Sequence, residues 1–315
     1  MSKQRKVSVV GAIMLISLFL IVGCGGTKKD LTVATGSKSG TYYPIGGAIV
    51  DILNEEISGM NAKVESTDGS VENIGLLKDG KADLAIVQND IVYYAAHGNE
   101  MYKNYKVSNL KAIASLYPET CQIVTLESSG IKRITELKGK RIAVDTRGSG
   151  GEANARQILA AFGLSYDDVN VKFLSIAEGA EALKDGEVDA FFLTAGYPTA
   201  SVQDIALQNK IRLLPVIEEE ADALIDRYPF YTKTIVPAGT YAGFNQDVIT
   251  VSVMAMLVTT DKIDDKLGGQ IAEDIFTNLD KLKAAHAVGR RITRENALKG
   301  MSLDMNAGAK NFFKE

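Results

Sequence analysis

The sequence LTVATGSKSGTYYPIG, residues 31–46, decides the fold. It starts with a run of residues that favour a strand and continues through a loop rich in glycine and serine. It then reaches Pro44, which suits the first turn of a helix. Around and beyond this proline the apolar residues occur at helical spacing, with Ile45, Ile49 and Leu53 on one face. The stretch therefore predicts a strand, a small-residue loop and a helix in direct succession.

The same plan returns in the second half of the chain. Residues 141–144 favour a strand, residues 145–151 (DTRGSGG) form a glycine-rich turn, and a helical pattern follows. A closer match joins residues 77–84 (LKDGKADL) to residues 183–190 (LKDGEVDA), 106 positions later. In both segments we expect a helix to end at the glycine and a strand to begin soon after the second aspartate.

The alternation of strands and helices predicts parallel strands covered by helices, and therefore an α/β fold. Because the plan occurs twice, we expect two similar lobes with a ligand cleft between them. The first lobe is expected to comprise residues 31–120 plus 238–315, and the second residues 121–237. The alternative is one larger sheet in which the repeat arose by chance.

The amino terminus has the composition of a secretory signal peptide. Lys3, Arg5 and Lys6 precede an uncharged apolar stretch that ends at Gly23. Residues 21–24, Ile-Val-Gly-Cys, resemble the bacterial lipobox, which implies lipidation of Cys24 after removal of residues 1–23. Residues 24–30 then form a lipidated tether, and the protein is expected to be exported and anchored on the extracytoplasmic side of a membrane. The alternative is an uncleaved apolar anchor.

Composition excludes several classes of protein. Removal of residues 1–23 takes away three positive charges and moves the formal net charge from −4 to −7, which argues against nucleic acid as a partner. Only Cys121 then remains besides Cys24, so neither an internal disulfide nor a thiolate metal cluster is expected. We expect no metal and no cofactor.

The two small-residue loops have the chemistry of anion sites. A helix start offers free backbone N–H groups and the positive end of the helix dipole, and ligands collect at the carboxyl ends of strands in α/β sheets. Glycines let the backbone approach a ligand, and hydroxyl groups add donors. The residues expected to act in this way are Gly36, Ser37, Gly40, Thr41, Gly148, Ser149 and Gly150. The alternative is that both loops are ordinary tight turns.

Larger side chains beside these loops complete the candidate site. Arg147 is suited to hold a carboxylate through two parallel hydrogen bonds, and Lys38 offers a second positive charge. The alternative for both is a solvated surface position. Aromatic and amide side chains near the loops are expected to wall the pocket or contact the ligand; these are Tyr42, Tyr43, Gln88 and Tyr197.

Catalysis is not supported by the sequence. The histidines, His97 and His286, lie far along the chain from both loops, and Cys121 carries no nucleophile signature. No paired carboxylates lie near the loops. We therefore expect a binding protein and not an enzyme.

Several segments in a fixed order resemble the TAXI family, the solute receptors associated with TRAP transporters. They are residues 36–46, 70–74, 82–90, 148–159 and 237–241. The resemblance implies a type II periplasmic-binding fold with mixed sheets, which closes on its ligand at a hinge. It also implies delivery to TRAP membrane permease subunits. The implied ligand is a small carboxylate such as glutamate or a five-carbon dicarboxylate.

The resemblance extends the candidate site and also departs from the family in places. It implies ligand contacts at Ser70 and Thr194, besides the loop residues named above. The chain differs at Thr146-Arg147, where relatives have Ala-Pro, and this difference bears on the identity of the ligand. Two other readings stay open: the receptor of an ATP-driven ABC importer or of a signalling system, and an exported enzyme.

Overall fold

The computed structural model describes residues 29–314, which form a mixed ten-stranded sheet flanked by helices. The predicted signal peptide, residues 1–23, and the predicted lipidation site Cys24 lie outside the described residues. Within residues 29–314, no helix combines the length and the apolar character needed to cross a bilayer.

The strands are β1 Lys29–Ala34, β2 Met60–Glu65, β3 Leu84–Gln88, β4 Leu110–Leu126, β5 Arg141–Ala143, β6 Asn170–Lys172, β7 Ala190–Ala195, β8 Ile211–Leu213, β9 Thr232–Val236 and β10 Val248–Thr260. The α-helices are α1 Tyr42–Glu56, α2 Ser70–Asp79, α3 Asn89–His97, α4 Gly150–Ala161, α5 Ile176–Lys184, α6 Ala200–Gln208, α7 Glu218–Arg227, α8 Asp265–Thr277, α9 Leu279–Ala285 and α10 Ala307–Phe312.

The α/β plan predicted from the two loops is confirmed. Strand β1 ends at Ala34 and α1 begins at Tyr42, and strand β5 ends at Ala143 before α4 begins at Gly150. Helix α4 starts where it does because the Ser149 side chain accepts a hydrogen bond from the Glu152 backbone N–H at 3.0 Å.

The sequence repeat has a structural counterpart in each half of the chain. In the first copy, Asp83 accepts a hydrogen bond from the Thr32 backbone N–H at 2.8 Å, and in the second Asp189 accepts one from the Arg141 N–H at 2.8 Å. In each copy this aspartate therefore ties the start of one parallel strand to its neighbour. Gly80, which ends α2, has the left-handed backbone that glycine adopts without strain.

Two long strands run through both halves of the sheet. The sheet order is β2-β1-β3-β10-β4-β7-β5-β6, with β8 paired to β4 and β9 paired to β10. The first half of β4 pairs with the end of β10, and its second half pairs with β7. The two lobes of this fold therefore share β4 and β10.

Strand direction makes the two sets of loops face each other. Strands β1 and β3 are parallel, both β3 and β4 are antiparallel to β10, and β7 is antiparallel to β4. The parallel strands of one lobe therefore point toward those of the other. Gln88, at the end of β3, and Ala195, at the end of β7, align through the sheet with Tyr117 and Thr120 of β4. Three residues of strand span about 10 Å, so the carboxyl ends meet at a narrow cleft.

The apolar core is divided between the two lobes. In the first lobe, one cluster contains Ile49 and another contains Ile74. In the second lobe, one cluster contains Ile158 and another contains Phe191. Val251 of β10 packs with the second lobe. The lobe boundaries at 120/121 and 237/238 stay a proposal, and we propose extending the second lobe to the middle of β10.

Candidate functional site

A small cavity of about 60 Å³ lies where the carboxyl ends of the parallel strands meet. Both lobes contribute to its wall. The lining residues are Gly36, Gly40, Thr41, Tyr42, Asp68, Gly69, Ser70, Gln88, Glu119, Asp145, Ser149, Gly150, Gly151, Ile176, Thr194 and Ala195.

Four helices begin at this cavity. Helix α1 starts at Tyr42, α2 at Ser70, α4 at Gly150 and α5 at Ile176, and all four residues line the cavity. The first N–H groups of a helix have no partner within it, and the dipoles add positive potential there. The arrangement therefore provides a site for negative charge built from backbone and not from cationic side chains.

One wall of the cavity carries a buried carboxyl group. Glu119 is 2% exposed and accepts a hydrogen bond from the Tyr42 hydroxyl at 2.7 Å. The Ser70 hydroxyl lies 3.5 Å from that of Tyr42 and accepts a hydrogen bond from the Gln88 backbone N–H at 3.0 Å. Burial raises the pKa of Glu119 well above its usual value, and the hydrogen bond from Tyr42 lowers it only in part.

A second carboxyl group, Asp145, lies at the start of the second loop. Its backbone has a φ of 69°, a left-handed conformation that is uncommon outside glycine and that concentrates at functional sites. Its side chain accepts a hydrogen bond from the Thr146 backbone N–H at 2.8 Å. Burial, reinforced by the charges of Asp68 and Glu152, raises the pKa of Asp145 to about 7.

A polar network behind the cavity joins the two lobes. Gln88 donates to Asn154 at 3.1 Å, and Asn154 donates to Asp90 at 2.9 Å and to the Tyr231 hydroxyl at 2.7 Å. The Tyr231 hydroxyl in turn donates to Gln157 at 2.7 Å. Burial raises the pKa of Asp90 to about 6. These contacts hold α4 of the second lobe against β3 and α3 of the first.

Of the fifteen ligand contacts expected from the sequence, nine line the cavity. They are Gly36, Gly40, Thr41, Tyr42, Ser70, Gln88, Ser149, Gly150 and Thr194. The remaining six lie outside the cavity lining: Ser37, Lys38, Tyr43, Arg147, Gly148 and Tyr197. That these nine bind a ligand stays a prediction.

The two expected cations do not reach the cavity. Arg147 is exposed, and its guanidinium stacks on the ring of Phe173 at 3.8 Å from the centroid. Lys38 is also exposed and lies 5.9 Å from the ring centroid of Tyr43. Tyr197 is turned away from the ligand cleft, and its hydroxyl donates to the Ile235 carbonyl at 2.8 Å. Within the described chain, no lysine, arginine or histidine lines the cavity.

The acidic wall was not expected from the sequence. The lining residues missed there were Asp68, Gly69, Glu119, Asp145, Gly151, Ile176 and Ala195. Two of these residues, Glu119 and Asp145, have sequence features that could have marked them as candidate site residues. Glu119 is the lone acidic residue in the long strand β4, and Asp145 opens the glycine-rich turn that was already singled out.

The described residues also form a larger groove, which lies apart from the two small-residue loops. This groove of about 680 Å³ is lined by Tyr93, Phe230 and Asp304, and none of its lining residues belongs to the two small-residue loops. Among residues 29–314, no group of three or more histidine, cysteine, aspartate or glutamate side chains is placed to hold a metal ion.

The chain belongs to the NMT1-like family, which matches residues 33–315. It is also similar to a putative aliphatic sulfonates-binding protein of Escherichia coli (strain K12), with 30% identity over 97 residues. That similarity covers 31% of this chain and only 29% of the relative.

Solved structures with the same fold include binding proteins. The periplasmic aliphatic sulphonate binding protein SsuA from Escherichia coli superposes with a TM-score of 0.51 at 16% identity, covering 91% of this chain and 82% of that one. PhnD1 from Prochlorococcus marinus (MIT 9301), in complex with methylphosphonate, gives a TM-score of 0.53 at 13% identity, covering 80% and 85%. The chain therefore belongs to the NMT1-like family and has a two-lobed fold like that of periplasmic binding proteins.

The TAXI resemblance is therefore wrong as an identification. The family that spans the chain is the NMT1-like family. Two similar proteins are named for sulfonates, and a third is in complex with methylphosphonate. The expectations of a TRAP permease and a dicarboxylate ligand rested on that resemblance, so they are no longer supported. The short loop motifs did not identify the family, because one fold can carry many different functions.

Proposed function

We propose that this protein is the extracytoplasmic solute receptor of an ABC importer. It captures a small organic oxyanion of the sulfonate or phosphonate class in the cleft between its lobes. The two lobes close on the ligand by a hinge movement, and the closed complex is presented to a membrane permease.

The convergence of helix starts from both lobes on one cavity carries this proposal. A sulfonate or phosphonate presents three oxygens, and the starts of α1, α2 and α4 present backbone N–H groups from both lobes. Because the donors come from both lobes, the oxyanion stabilises the closed arrangement over the open one. The volume of about 60 Å³ favours a short organic chain on the oxyanion.

The relatives support the choice of ligand class and of transporter. A curated relative is named for aliphatic sulfonates, and a structural relative is in complex with methylphosphonate. An ATP-driven importer was the alternative left open by the sequence. Export to the extracytoplasmic side fits both the basic, apolar amino terminus and the periplasmic relative.

A thermal-shift and calorimetric screen tests the proposal. The panel contains short alkanesulfonates and alkylphosphonates, with and without amino substituents, together with sulfate, phosphate and carboxylates. A ligand present at about 100 times its Kd should raise the free energy of unfolding by about 2.7 kcal/mol. A screen in which no oxyanion raises the stability would overturn the proposal.

A negative charge introduced into the cavity lining tests oxyanion binding, and the same substitution outside the cavity is its control. Ile176 lines the cavity in the first turn of α5, where an acidic residue favours the helix dipole. Ile176→Glu should therefore fold normally yet weaken oxyanion binding at least tenfold, because it adds a negative charge beside the ligand. Ile217, 50% exposed at the cap of α7, offers the same substitution away from the cavity, and Ile217→Glu should bind like the wild type.

A further inference from the structure

Two buried side chains at the cavity wall present acceptor atoms. Glu119 is 2% exposed, and one of its oxygens accepts a hydrogen bond from Tyr42. Gln88 is 3% exposed, and within residues 29–314 its side-chain oxygen has no hydrogen-bond partner. A buried acceptor without a donor is costly, and native structures seldom tolerate one without a reason.

Asp145 supplies a third acceptor on the same cavity. Its carboxyl group lines the cavity next to Gly151, the second residue of α4. The left-handed backbone at Asp145 is held by the hydrogen bond from Thr146 N–H to its own side chain. The chain thus keeps an acidic side chain at this point although the backbone there would suit glycine better.

These acceptors conflict with a ligand that carries only negative charge. An oxyanion at the helix starts would lie beside Glu119 and Asp145, which repel it whenever they are ionised, and no cationic side chain lines the described cavity to offset that repulsion. A ligand that brings its own positive charge removes the conflict. An ammonium group has three N–H donors, one for each of the three acceptor side chains.

We propose, on the basis of the function proposed above, that the ligand is a small zwitterion. Its oxyanion lies at the starts of α1, α2 and α4, and its ammonium group donates to Glu119, Gln88 and Asp145. Amino-substituted sulfonates and phosphonates and small amino acids share this chemistry. Glu119 and Asp145 then determine specificity, because they favour a ligand with an amine over one without it.

The pH dependence of binding separates a zwitterion from a simple anion. Burial raises the pKa of Glu119 above its usual value and that of Asp145 to about 7, so burial disfavours ionisation of both carboxyl groups. An ammonium group favours the ionised carboxylates, so its binding releases protons and strengthens as the pH rises. A simple anion needs the protonated carboxyls, so its binding weakens as the pH rises. The titratable groups that face these two carboxyls are Tyr42, Asp68, Asp90, Tyr117 and Glu152.

Matched ligand pairs test the proposal on the full-length protein. Calorimetry at about pH 6 and about pH 8 compares 2-aminoethanesulfonate with ethanesulfonate, aminomethylphosphonate with methylphosphonate, and glycine with acetate. We expect the amine to improve affinity by about tenfold or more, as for a charge-assisted hydrogen bond, and more at the higher pH.

Variants assign the effect to the acidic wall. Glu119→Gln should abolish the preference for the amine by weakening the binding of each amino ligand more than that of its amine-free partner. Asp145→Asn is the second variant, because asparagine tolerates the left-handed backbone, and it should reduce the preference in the same direction. Glu127→Gln, a half-exposed position outside the cavity, should leave the preference unchanged.

The outcomes separate the two proposals. If the amine-free anions bind as tightly as their amino partners, and more weakly at the higher pH, the zwitterion is refuted while the oxyanion receptor stands. If neither member of any pair binds, the proposed function itself is refuted.

Discussion

Glu119 is the residue on which the chemistry of the cleft depends. It lies between the two lobes on β4, pairs with Val253 of β10, and is almost completely buried. A carboxyl group in such a place costs stability unless it is hydrogen-bonded or neutralised. Its one hydrogen bond within the described residues comes from Tyr42, at the start of α1.

Removing that hydroxyl group should destabilise the protein. Tyr42→Phe leaves the Glu119 oxygen without a donor, so we expect the free energy of unfolding to fall by about 1–3 kcal/mol. Urea denaturation measures the change. Tyr43→Phe, at the neighbouring half-buried position, should change stability by less than about 0.5 kcal/mol. If both variants lost the same free energy of unfolding, the hydrogen bond from the Tyr42 hydroxyl to Glu119 would not contribute specifically to stability.

At the residue scale the sequence predicted small and hydroxyl-bearing contacts better than charged ones. Gly150 and Ser149 line the cavity because helix starts require such residues, and that requirement is local. Arg147 follows the same loop but stacks on Phe173, a residue 26 positions away. Glu119 enters the cavity from β4, the strand shared by both lobes. Those two placements depend on tertiary structure that no local pattern contains.

At the scale of elements, the start of α4 has both a structural and a binding role. The Ser149 side chain caps the helix by accepting from the Glu152 N–H at 3.0 Å, and it also lines the cavity. The equivalent positions before α1 and α2 have no side-chain cap, so their first N–H groups depend on other partners.

The cap of α4 should therefore contribute measurably to stability. Ser149→Ala removes the acceptor, and we expect a loss of about 1 kcal/mol in the free energy of unfolding by denaturant titration. Ser149→Asn provides the control, because asparagine caps helices as well as serine does. If the alanine variant were as stable as the asparagine variant, the cap would not contribute to folding.

The elements themselves were predictable, but their connection into one sheet was not. The strand-loop-helix units and the repeat around Gly80 and Gly186 rest on local periodicity and turn chemistry, which a sequence displays directly. The shared strands β4 and β10 are long and continue through the cleft without interruption. Their pairing is non-local, so from the sequence the crossovers between the lobes could be placed only at the predicted boundaries, 120/121 and 237/238.

At the scale of the whole molecule, the lobes are held together by close contact at α4. The side-chain amide of Gln88 lies against Gly150, and a Cβ atom at that glycine would overlap it. The neighbouring hydrogen bonds from Gln88 to Asn154 and from Asn154 to Asp90 cross the same interface. A side chain at position 150 would therefore displace the Gln88 amide at the interface between the lobes.

Adding a methyl group there should push the lobes apart. Gly150→Ala is expected to reduce stability by about 1–3 kcal/mol through overpacking, and to increase the radius of gyration measured by small-angle scattering. Gly47→Ala is the control, because no atom lies near its added Cβ in α1, and it should gain about 0.5–1 kcal/mol. A Gly150→Ala protein as compact and stable as the wild type would contradict this account of the interface.

The buried acids between the lobes should make stability depend on pH. Burial raises the pKa of Asp90 to about 6 and that of Asp145 to about 7, whereas both ionise near 3.9 in an unfolded chain. Between these values the folded protein holds protons that the unfolded chain has released, so the free energy of unfolding falls as the pH rises. We expect a loss of about 1–3 kcal/mol between about pH 5 and about pH 8 in urea titrations. Asp90→Asn cannot ionise and should show a shallower decline, and a wild-type protein that is equally or more stable at the higher pH would contradict the assignment.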